Sequence, residues 1–198
     1  MKAWIAVLVL VGGLGQTASP VPPAATRPPV RVRLETALGP IDIEVDPRAP
    51  RTAANFLRYV ERGDYDGGRF HRTVRAGNQP DKKVLIDVVQ AGRDPASLRP
   101  ELPPIPLERT SVTGLRHVDA AVSMARDGPD TATSDFFICV GDQPELDFGG
   151  RRNPDGQGFA VFGRVVAGMD VVRRIHDAPA DGQTLTPPVT IRKARPLP

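Results

Sequence analysis

Histidine and cysteine are the side chains best suited to metal or nucleophilic chemistry, and this sequence has few of either. Its three histidines are not spaced as metal ligands: His71, His117 and His176. The single cysteine, Cys139, lies in the apolar run 136–140, which favours an inert buried thiol. The chain also has no Gly-x-Ser-x-Gly elbow and no glycine-rich phosphate loop. We therefore expect neither a bound metal nor a cofactor.

Four other segments combine aromatic, glycine and polar residues in a distinctive way. In chain order they are Gly-Arg-Phe-His-Arg-Thr-Val (68–74), Val-Gln-Ala-Gly (89–92), Ser-Met-Ala…Gly-Pro-Asp-Thr…Ser-Asp-Phe-Phe-Ile (123–138) and Phe-Gly-Arg-Val…Gly-Met (162–169). In content and order they resemble the signature of the cyclophilins, a family of peptidyl-prolyl cis-trans isomerases. One such motif would be weak evidence, but four in order over roughly residues 30–195 are specific.

The resemblance implies an activity that needs few chemical groups. Conjugation opposes rotation about a peptide bond with a barrier of about 18–20 kcal/mol. Before proline both isomers are populated, and they exchange within tens to hundreds of seconds. In the twisted state the proline nitrogen regains its lone pair, so a donor aimed at it stabilises the transition state selectively. By its place after Phe-His, Arg72 is the arginine that the resemblance assigns to this catalytic role, and its guanidinium is always protonated.

The resemblance also implies a groove that binds the substrate proline. Phe137 would form its apolar floor, and Val88 and Leu146 occupy positions where the family has wall residues. Gln90 would hydrogen-bond the substrate beside the twisting amide. The other residues assigned to the groove, the first two through their backbone, are Ala125, Arg126 and Phe159.

Several positions depart from the family pattern. Asp87 falls where the family has a pocket phenylalanine, and Glu145 where it has the tryptophan associated with cyclosporin binding, so we predict that cyclosporin binds poorly. Arg126 and Asp135 replace an asparagine and a glutamine. Phe159 takes the place of a pocket histidine and would restore apolar area lost at Asp87. Because Asp87 puts a charge at an apolar position, a non-catalytic proline-peptide binding module or chaperone stays open as the alternative to an isomerase.

Short strands joined by turns are predicted to position these residues. The segments 30–36 and 41–45 alternate apolar and charged residues and form a hairpin around the turn 37–40. The other predicted strands are 84–90, 120–125, 136–140, 159–165 and 189–195.

Two helices, well separated in sequence, complete the prediction. Thr52 is a candidate N-cap for a helix that runs to about Glu61, and a second helix covers 169–175. Seven or eight strands with two helices indicate an all-β-dominated chain, in which closure of the sheet would remove exposed edges. The resemblance implies the same architecture, a closed eight-stranded antiparallel β-barrel capped by two α-helices.

The first 29 residues are predicted to lie outside the domain, which we place at 30–198. Lys2 and the apolar run 3–14, followed by small residues, are typical of a signal peptide of about residues 1–19. The run is shorter than the roughly 20 residues of a membrane span, although an uncleaved anchor is the alternative. Residues 20–29 form a proline-rich linker. We expect an exported protein, periplasmic or secreted, with no stable membrane insertion once the signal is removed.

Length and charge narrow the expected partners. The chain has 198 residues, enough for one domain, and a net charge of +3 carried by scattered arginines. A nucleic-acid binder would cluster such charge on one face and would bind polyanions in a salt-dependent manner, so we expect no nucleic-acid partner. The expected partners are unfolded or extended proline-containing polypeptides, and the protein is expected to be a monomer.

Overall fold

The computed structural model describes residues 29–80 and 82–198. Its strands are β1 (Arg31–Thr36), β2 (Gly39–Val45), β3 (Arg69–Val74), β4 (Val88–Gly92), β5 (Ala121–Met124), β6 (Phe136–Cys139), β7 (Ala160–Ala167), β8 (Ala180–Asp181) and β9 (Thr184–Pro196). Its helices are α1 (Pro50–Glu61), α2 (Thr110–Thr113) and α3 (Met169–His176). The predicted signal peptide 1–19 and nearly all of the linker 20–29 lie outside the described residues.

Eight of the strands form a closed antiparallel barrel. Their order is β1-β2-β7-β5-β6-β4-β3-β9, and the ring closes where β9 pairs with β1. The two-residue strand β8 pairs with β9 beyond the ring. The predicted eight-stranded barrel is therefore confirmed, and closure leaves the ring strands without free edges. Within the described residues, no helix has the length and apolar content needed to cross a membrane.

The alternation that predicted the first hairpin also fills the barrel. In β1, Val32 and Leu34 are fully buried, whereas Arg31 and Arg33 lie on the other face and pair with carboxylates of β2. Helix α1 inserts Phe56 into an aromatic cluster whose ring centroids lie 5.0–5.5 Å from that of Phe56. The other members of that cluster are Tyr65, Phe136 and Phe162.

Both predicted long helices are present, but α1 does not begin as predicted. The helix starts at Pro50, whose fixed φ and missing N–H suit the first turn, and Ala49 caps it without a side-chain hydrogen bond. Thr52 lies inside the helix and is not the N-cap. Its backbone N–H donates to Glu108 Oε2 at 2.7 Å, and the backbone N–H of Arg51 donates to Glu108 Oε1 at 3.1 Å. A carboxylate from a distant loop thus satisfies the free N–H groups that a local cap would have served.

The strand predicted at 84–90 is displaced, since β4 covers only Val88–Gly92. Side chains satisfy the backbone ahead of it. Gln79 donates to the Ile86 carbonyl at 2.8 Å and accepts from its N–H at 3.3 Å, and Arg152 Nη1 donates to the Val84 carbonyl at 2.6 Å. The strands β3 and β8 and the one-turn helix α2 were not among the predicted elements.

Candidate active site

A row of side chains crosses four neighbouring strands and brings the central residues together. Arg72 on β3 lies opposite Gln90 on β4, and Gln90 lies opposite Phe137 on β6. The register shifts between Phe70 and Arg72 in the pairing of β3 with both of its neighbours. This bulge leaves His71 unpaired and brings Arg72, instead of His71, opposite Gln90. The row continues to Ser123 on β5.

Phe136 and Phe137 face opposite sides of β6, as successive strand residues do. Phe136 packs against Phe56 inside the barrel, whereas Phe137 packs against Phe159 and His117 outside it. The outer side forms a groove of about 440 Å³. All eight residues predicted for the site line it: Arg72, Val88, Gln90, Ala125, Arg126, Phe137, Leu146 and Phe159.

The apolar end of the groove is an aromatic corner with a fixed geometry. The Phe137 and Phe159 rings are perpendicular, with centroids 5.3 Å apart. The guanidinium carbon of Arg126 lies 5.1 Å from the centre of the Phe159 ring. Arg126 also donates to the Gly158 carbonyl and pairs with Asp155 at 2.8 Å, which ties the loop before Phe159 to the end of β5. The side chain of Arg126 therefore holds this corner, in addition to the predicted backbone role.

The polar end of the groove is a chain of hydrogen bonds between charged and amide side chains. Arg72 Nη1 donates to Gln90 Oε1 at 3.0 Å, and Gln90 Nε2 donates to Asp135 Oδ2 at 2.9 Å. Burial lowers the pKa of Arg72 from its ordinary value, although the guanidinium stays protonated. Burial raises the pKa of Asp135, against the hydrogen bond from Gln90, which lowers it. Gln90 joins the two ends of the groove, because it lies opposite Arg72 on one neighbouring strand and opposite Phe137 on the other. The Arg72 cation therefore lies at the edge of the aromatic corner.

A buried histidine supports the floor of the groove from behind. The ring of His117 stacks on that of Phe137 with an interplanar angle of 12° and a centroid distance of 5.9 Å. Its Nδ1 lies 2.8 Å from Asp147 Oδ1, and its Nε2 lies 3.0 Å from Ser123 Oγ. Burial lowers the pKa of His117, against the hydrogen bond with Asp147, which raises it. Ser123 has no exposed surface, so this Ser–His–Asp arrangement is a packing element of the site.

The two acidic residues that replace family aromatic residues both contact side chains of this chain. Ile86 and Val88 both line the groove, whereas Oδ1 of Asp87, between them, lies 3.4 Å from Nε2 of His176. Ile86 thus supplies apolar surface beside the position where the charge of Asp87 was expected to intrude. Glu145 is paired with Arg151 at 2.6 Å.

Other groove residues were not predicted, because they lie in loops. Arg152 and Pro154 lie in a glycine-flanked loop that carries no periodic pattern, and Lys82 lies in the turn-rich segment before β4. Gln183, which holds Arg72 from behind, follows Gly182 in the β8–β9 turn. No local signal distinguishes such a glutamine from an ordinary turn residue; only the pairing of β3 with β9 brings it to Arg72.

Comparison with known proteins agrees with this geometry. The family model "Cyclophilin type peptidyl-prolyl cis-trans isomerase/CLD" matches residues 31–196. The chain is 39% identical over 147 residues to peptidyl-prolyl cis-trans isomerase cyp18 of Streptomyces antibioticus, covering 73% of this chain and 81% of that protein. It is 34% identical over 146 residues to peptidyl-prolyl cis-trans isomerase B of Escherichia coli, covering 73% and 82%.

Solved structures support the fold. A crystal structure of a cyclophilin-type isomerase from Cryptosporidium parvum superposes with a TM-score of 0.68 at 20% identity, covering 85% of this chain and 98% of that one. A structure of the same parasite protein in the presence of the dipeptide Ala-Pro gives a TM-score of 0.65.

The chain belongs to the cyclophilin-type peptidyl-prolyl cis-trans isomerases. It is an enzyme of that class, and its activity is the rotation of Xaa-Pro bonds.

Proposed function

We propose that this isomerase accelerates Xaa-Pro rotation in exported protein chains by donating from Arg72 to the nitrogen of the twisted imide. One observation carries the proposal: a half-buried guanidinium lies in the groove near the aromatic corner, with neutral amide partners, and burial lowers its pKa. In the part of the chain that the structure describes, no carboxylate pairs with Arg72, so its positive charge is available to a substrate. The family membership identifies the reaction, and this geometry supports Arg72 as the proposed donor.

The hydrogen-bond inventory of Arg72 leaves capacity for substrate. A guanidinium has five N–H groups. Three of them are used, since Nε and Nη2 donate to Gln183 Oε1 and Nη1 donates to Gln90 Oε1. One N–H on each Nη atom is left for a ligand in the groove. The planar imide offers nothing basic at nitrogen, so a donor there is satisfied only after rotation, and that difference lowers the barrier.

The aromatic corner supplies the second requirement, a fixed position for the proline ring. Phe137, Phe159 and Leu146 offer apolar surface of the kind that a pyrrolidine ring would bury. If the ring is held there while the preceding carbonyl turns, the imide nitrogen keeps its orientation toward Arg72 during the rotation. The partners we propose are therefore extended chains that expose proline, bound by a monomer of this protein.

Export is proposed on the sequence of the N-terminus. Lys2, the apolar run 3–14 and the small residues that follow have the order of a secretory signal, and residues 20–29 have the composition of a linker. Slow Xaa-Pro isomerisation limits the folding of many chains, so an isomerase outside the cytoplasm would act on newly exported proteins.

The decisive experiment compares two arginine variants in an isomerisation assay with a short Xaa-Pro peptide. Arg72→Ala should lower kcat/KM by about 10²–10³, as loss of one preorganised donor typically does. Arg192→Ala removes an exposed arginine of β9 and should match the unaltered protein. If Arg72→Ala keeps kcat/KM within about twofold while both variants stay folded, the proposed role of Arg72 is wrong.

A further inference from the structure

Gln183 lies in the β8–β9 turn, outside the four family motifs, yet it makes the closest contacts with Arg72. Its Oε1 accepts from Arg72 Nε at 3.0 Å and from Nη2 at 2.6 Å. One amide oxygen thus receives both N–H groups on one edge of the guanidinium. The described residues that line the groove do not include Gln183, so Gln183 approaches Arg72 from outside the groove.

The orientation of this amide follows from its partners. Gln183 Nε2 donates to the Asn78 carbonyl at 3.0 Å, and a carbonyl can only accept. The guanidinium can only donate, so Oε1 must face Arg72. Asn78 is itself fixed, because its Nδ2 donates to the carbonyls of Thr73 at 3.0 Å and Gly182 at 2.9 Å. The amide of Gln183 therefore has one satisfied orientation.

The backbone places Gln183 beside the bulge in β3. The Thr73 N–H donates to the Gln183 carbonyl at 2.9 Å, and Arg72 is paired with Thr184. The residue next to Arg72 on β3 is thus bonded to the main chain of the residue whose side chain holds Arg72. Replacing the Gln183 side chain leaves this backbone bond in place, which separates its effect on Arg72 from its effect on the turn.

Both side-chain partners of Arg72 are neutral amides. Several other arginines pair with carboxylates instead, as Arg33 does with Asp42 at 2.7 Å and Arg151 does with Glu145 at 2.6 Å. Arg72 is held by two amide oxygens, from Gln183 and Gln90. A carboxylate in the same place would hold the fork more tightly, but it would cancel much of the positive charge.

We propose that Gln183 is a positioning residue for the isomerisation, whose neutral amide oxygen fixes the Arg72 guanidinium at the groove without neutralising it. This inference rests on the proposed function, since it assumes that Arg72 is the donor to the imide. It assigns to the β8–β9 turn a role in kcat and not in substrate binding, because Gln183 is separated from the groove by Arg72.

The test uses the full chain and measures kcat and peptide affinity separately by exchange NMR on an Xaa-Pro peptide. Gln183→Ala removes the acceptor and should lower kcat about tenfold, with peptide Kd within about twofold of the unaltered protein. Gln183→Glu keeps an acceptor toward Arg72 but makes it anionic and removes the Nε2 donor to the Asn78 carbonyl, and it should lower kcat at least as much. Asp181→Asn alters charge in the same turn at an exposed position and should change neither quantity.

A merely structural role predicts a different pattern. In that case Gln183→Glu, which holds the guanidinium at least as firmly, would keep kcat near that of the unaltered protein, and this result would overturn the proposal. Values of kcat within twofold for Gln183→Ala would also overturn it. Thermal unfolding verifies that each variant is folded. The Arg72 Nε–H resonance shows whether the guanidinium is still held in the Gln183 variants.

A double variant distinguishes this inference from the proposed function itself. If Arg72→Ala is as active as the unaltered protein, the proposed function fails, whatever Gln183 does. If Arg72→Ala is impaired and the Gln183 variants are not, only the inference fails. In the Arg72→Ala background, Gln183→Ala should have no further effect, and an independent further loss of kcat would contradict a role exerted through Arg72.

Discussion

Phe137 is the residue at which binding can be separated from catalysis. Its ring is 5% exposed and forms the floor of the groove between His117 and Phe159. Replacing it with leucine keeps an apolar side chain but removes about 1 kcal/mol of contact with a bound proline ring. Phe137→Leu should therefore raise KM roughly fivefold and change kcat less, as measured by initial rates over a range of peptide concentrations.

The control for that variant is Phe148→Leu. Phe148 is 46% exposed, and the change should leave both parameters as they were. A Phe137→Leu protein with unchanged KM and a much lower kcat would contradict the assignment of Phe137 to substrate binding.

His117 should give the protein an acid-sensitive stability. Its pKa is lowered by burial, so the folded state favours the neutral ring, and this stabilisation is complete above the ordinary pKa of 6.5. As the pH falls below 6.5 toward the lowered pKa, the unfolded chain binds a proton that the folded chain resists, and stability decreases. For Asp147, burial would raise the pKa, but the hydrogen bonds from His117 lower it, so Asp147 adds its own loss only below 3.8.

Chemical unfolding between pH 7 and pH 4.5 measures this effect. The unaltered protein should lose stability across that range, and His117→Gln, which can donate to Asp147 but does not titrate, should have a shallower slope. Equal slopes for the two proteins would show that His117 does not titrate in this window. The acid sensitivity therefore belongs to a residue behind the floor of the groove and not to the proposed donor.

At the scale of elements, the loop before β7 is held by glycines. Gly158 has a φ of +65°, and a Cβ there would lie 2.5–2.7 Å from backbone atoms of Leu146 and Asp147. Gly156 has a similar φ of +61°, with nothing within 4 Å of a Cβ. Gly156→Ala should therefore lose about 1–2 kcal/mol of unfolding free energy, the usual cost of a left-handed residue.

Gly158→Ala bears the same conformational cost and also displaces the backbone beside Leu146. It should lose more stability than Gly156→Ala and should raise KM, since Phe159 and the carbonyl that anchors Arg126 move with it. Chemical denaturation and peptide titration measure the two effects. Equal losses for the two glycine variants would mean that the close approach of the backbone is not required.

The segment Pro144–Leu146 carries the prediction about cyclosporin. In the family pattern a tryptophan stands where this chain has Glu145, and here the Glu145 side chain is turned to Arg151. Without that aromatic donor and surface, cyclosporin should inhibit weakly, at micromolar or higher concentration. Inhibition in the nanomolar range would refute this prediction, and Glu145→Trp should increase sensitivity to the drug.

How far the sequence predicts each element depends on how local its determinants are. Strand β1 alternates Arg31-Val32-Arg33-Leu34, and its period is sufficient to place it. The run before β4 is almost continuously apolar, so nothing in it marks where pairing begins; the start is set by Gln79 and Arg152, distant residues that bind its backbone. The motifs likewise predicted residues that line the groove. They did not predict the hydrogen bonds from Arg72 to Gln183, because those bonds depend on the pairing of β3 with β9.

At the scale of the whole molecule, the barrel should be complete without the N-terminal segment. The family model begins at residue 31, and β1 starts at Arg31. A protein beginning at Pro29 should therefore match the full chain in kcat/KM and in melting temperature. A large loss of either on truncation would show that residues before Pro29 take part in the domain.

Export makes a separate prediction for the full chain. Expressed in a bacterial host with a secretory pathway, the protein should be recovered outside the cytoplasm with its N-terminus cut after Ala18 or near Ala24–Ala25. Mass spectrometry of the mature N-terminus measures this. Recovery of the uncut chain from the cytoplasm alone would contradict the proposed localisation.

Arg72 is proposed to act on the rotating bond and not on the bound proline. Exchange NMR under peptide saturation reports the rate of rotation on the enzyme independently of affinity. Arg72→Ala should slow this rate by about 10²-fold or more, while Kd changes by less than about threefold. An unchanged on-enzyme rate, with activity lost only through weaker binding, would contradict it.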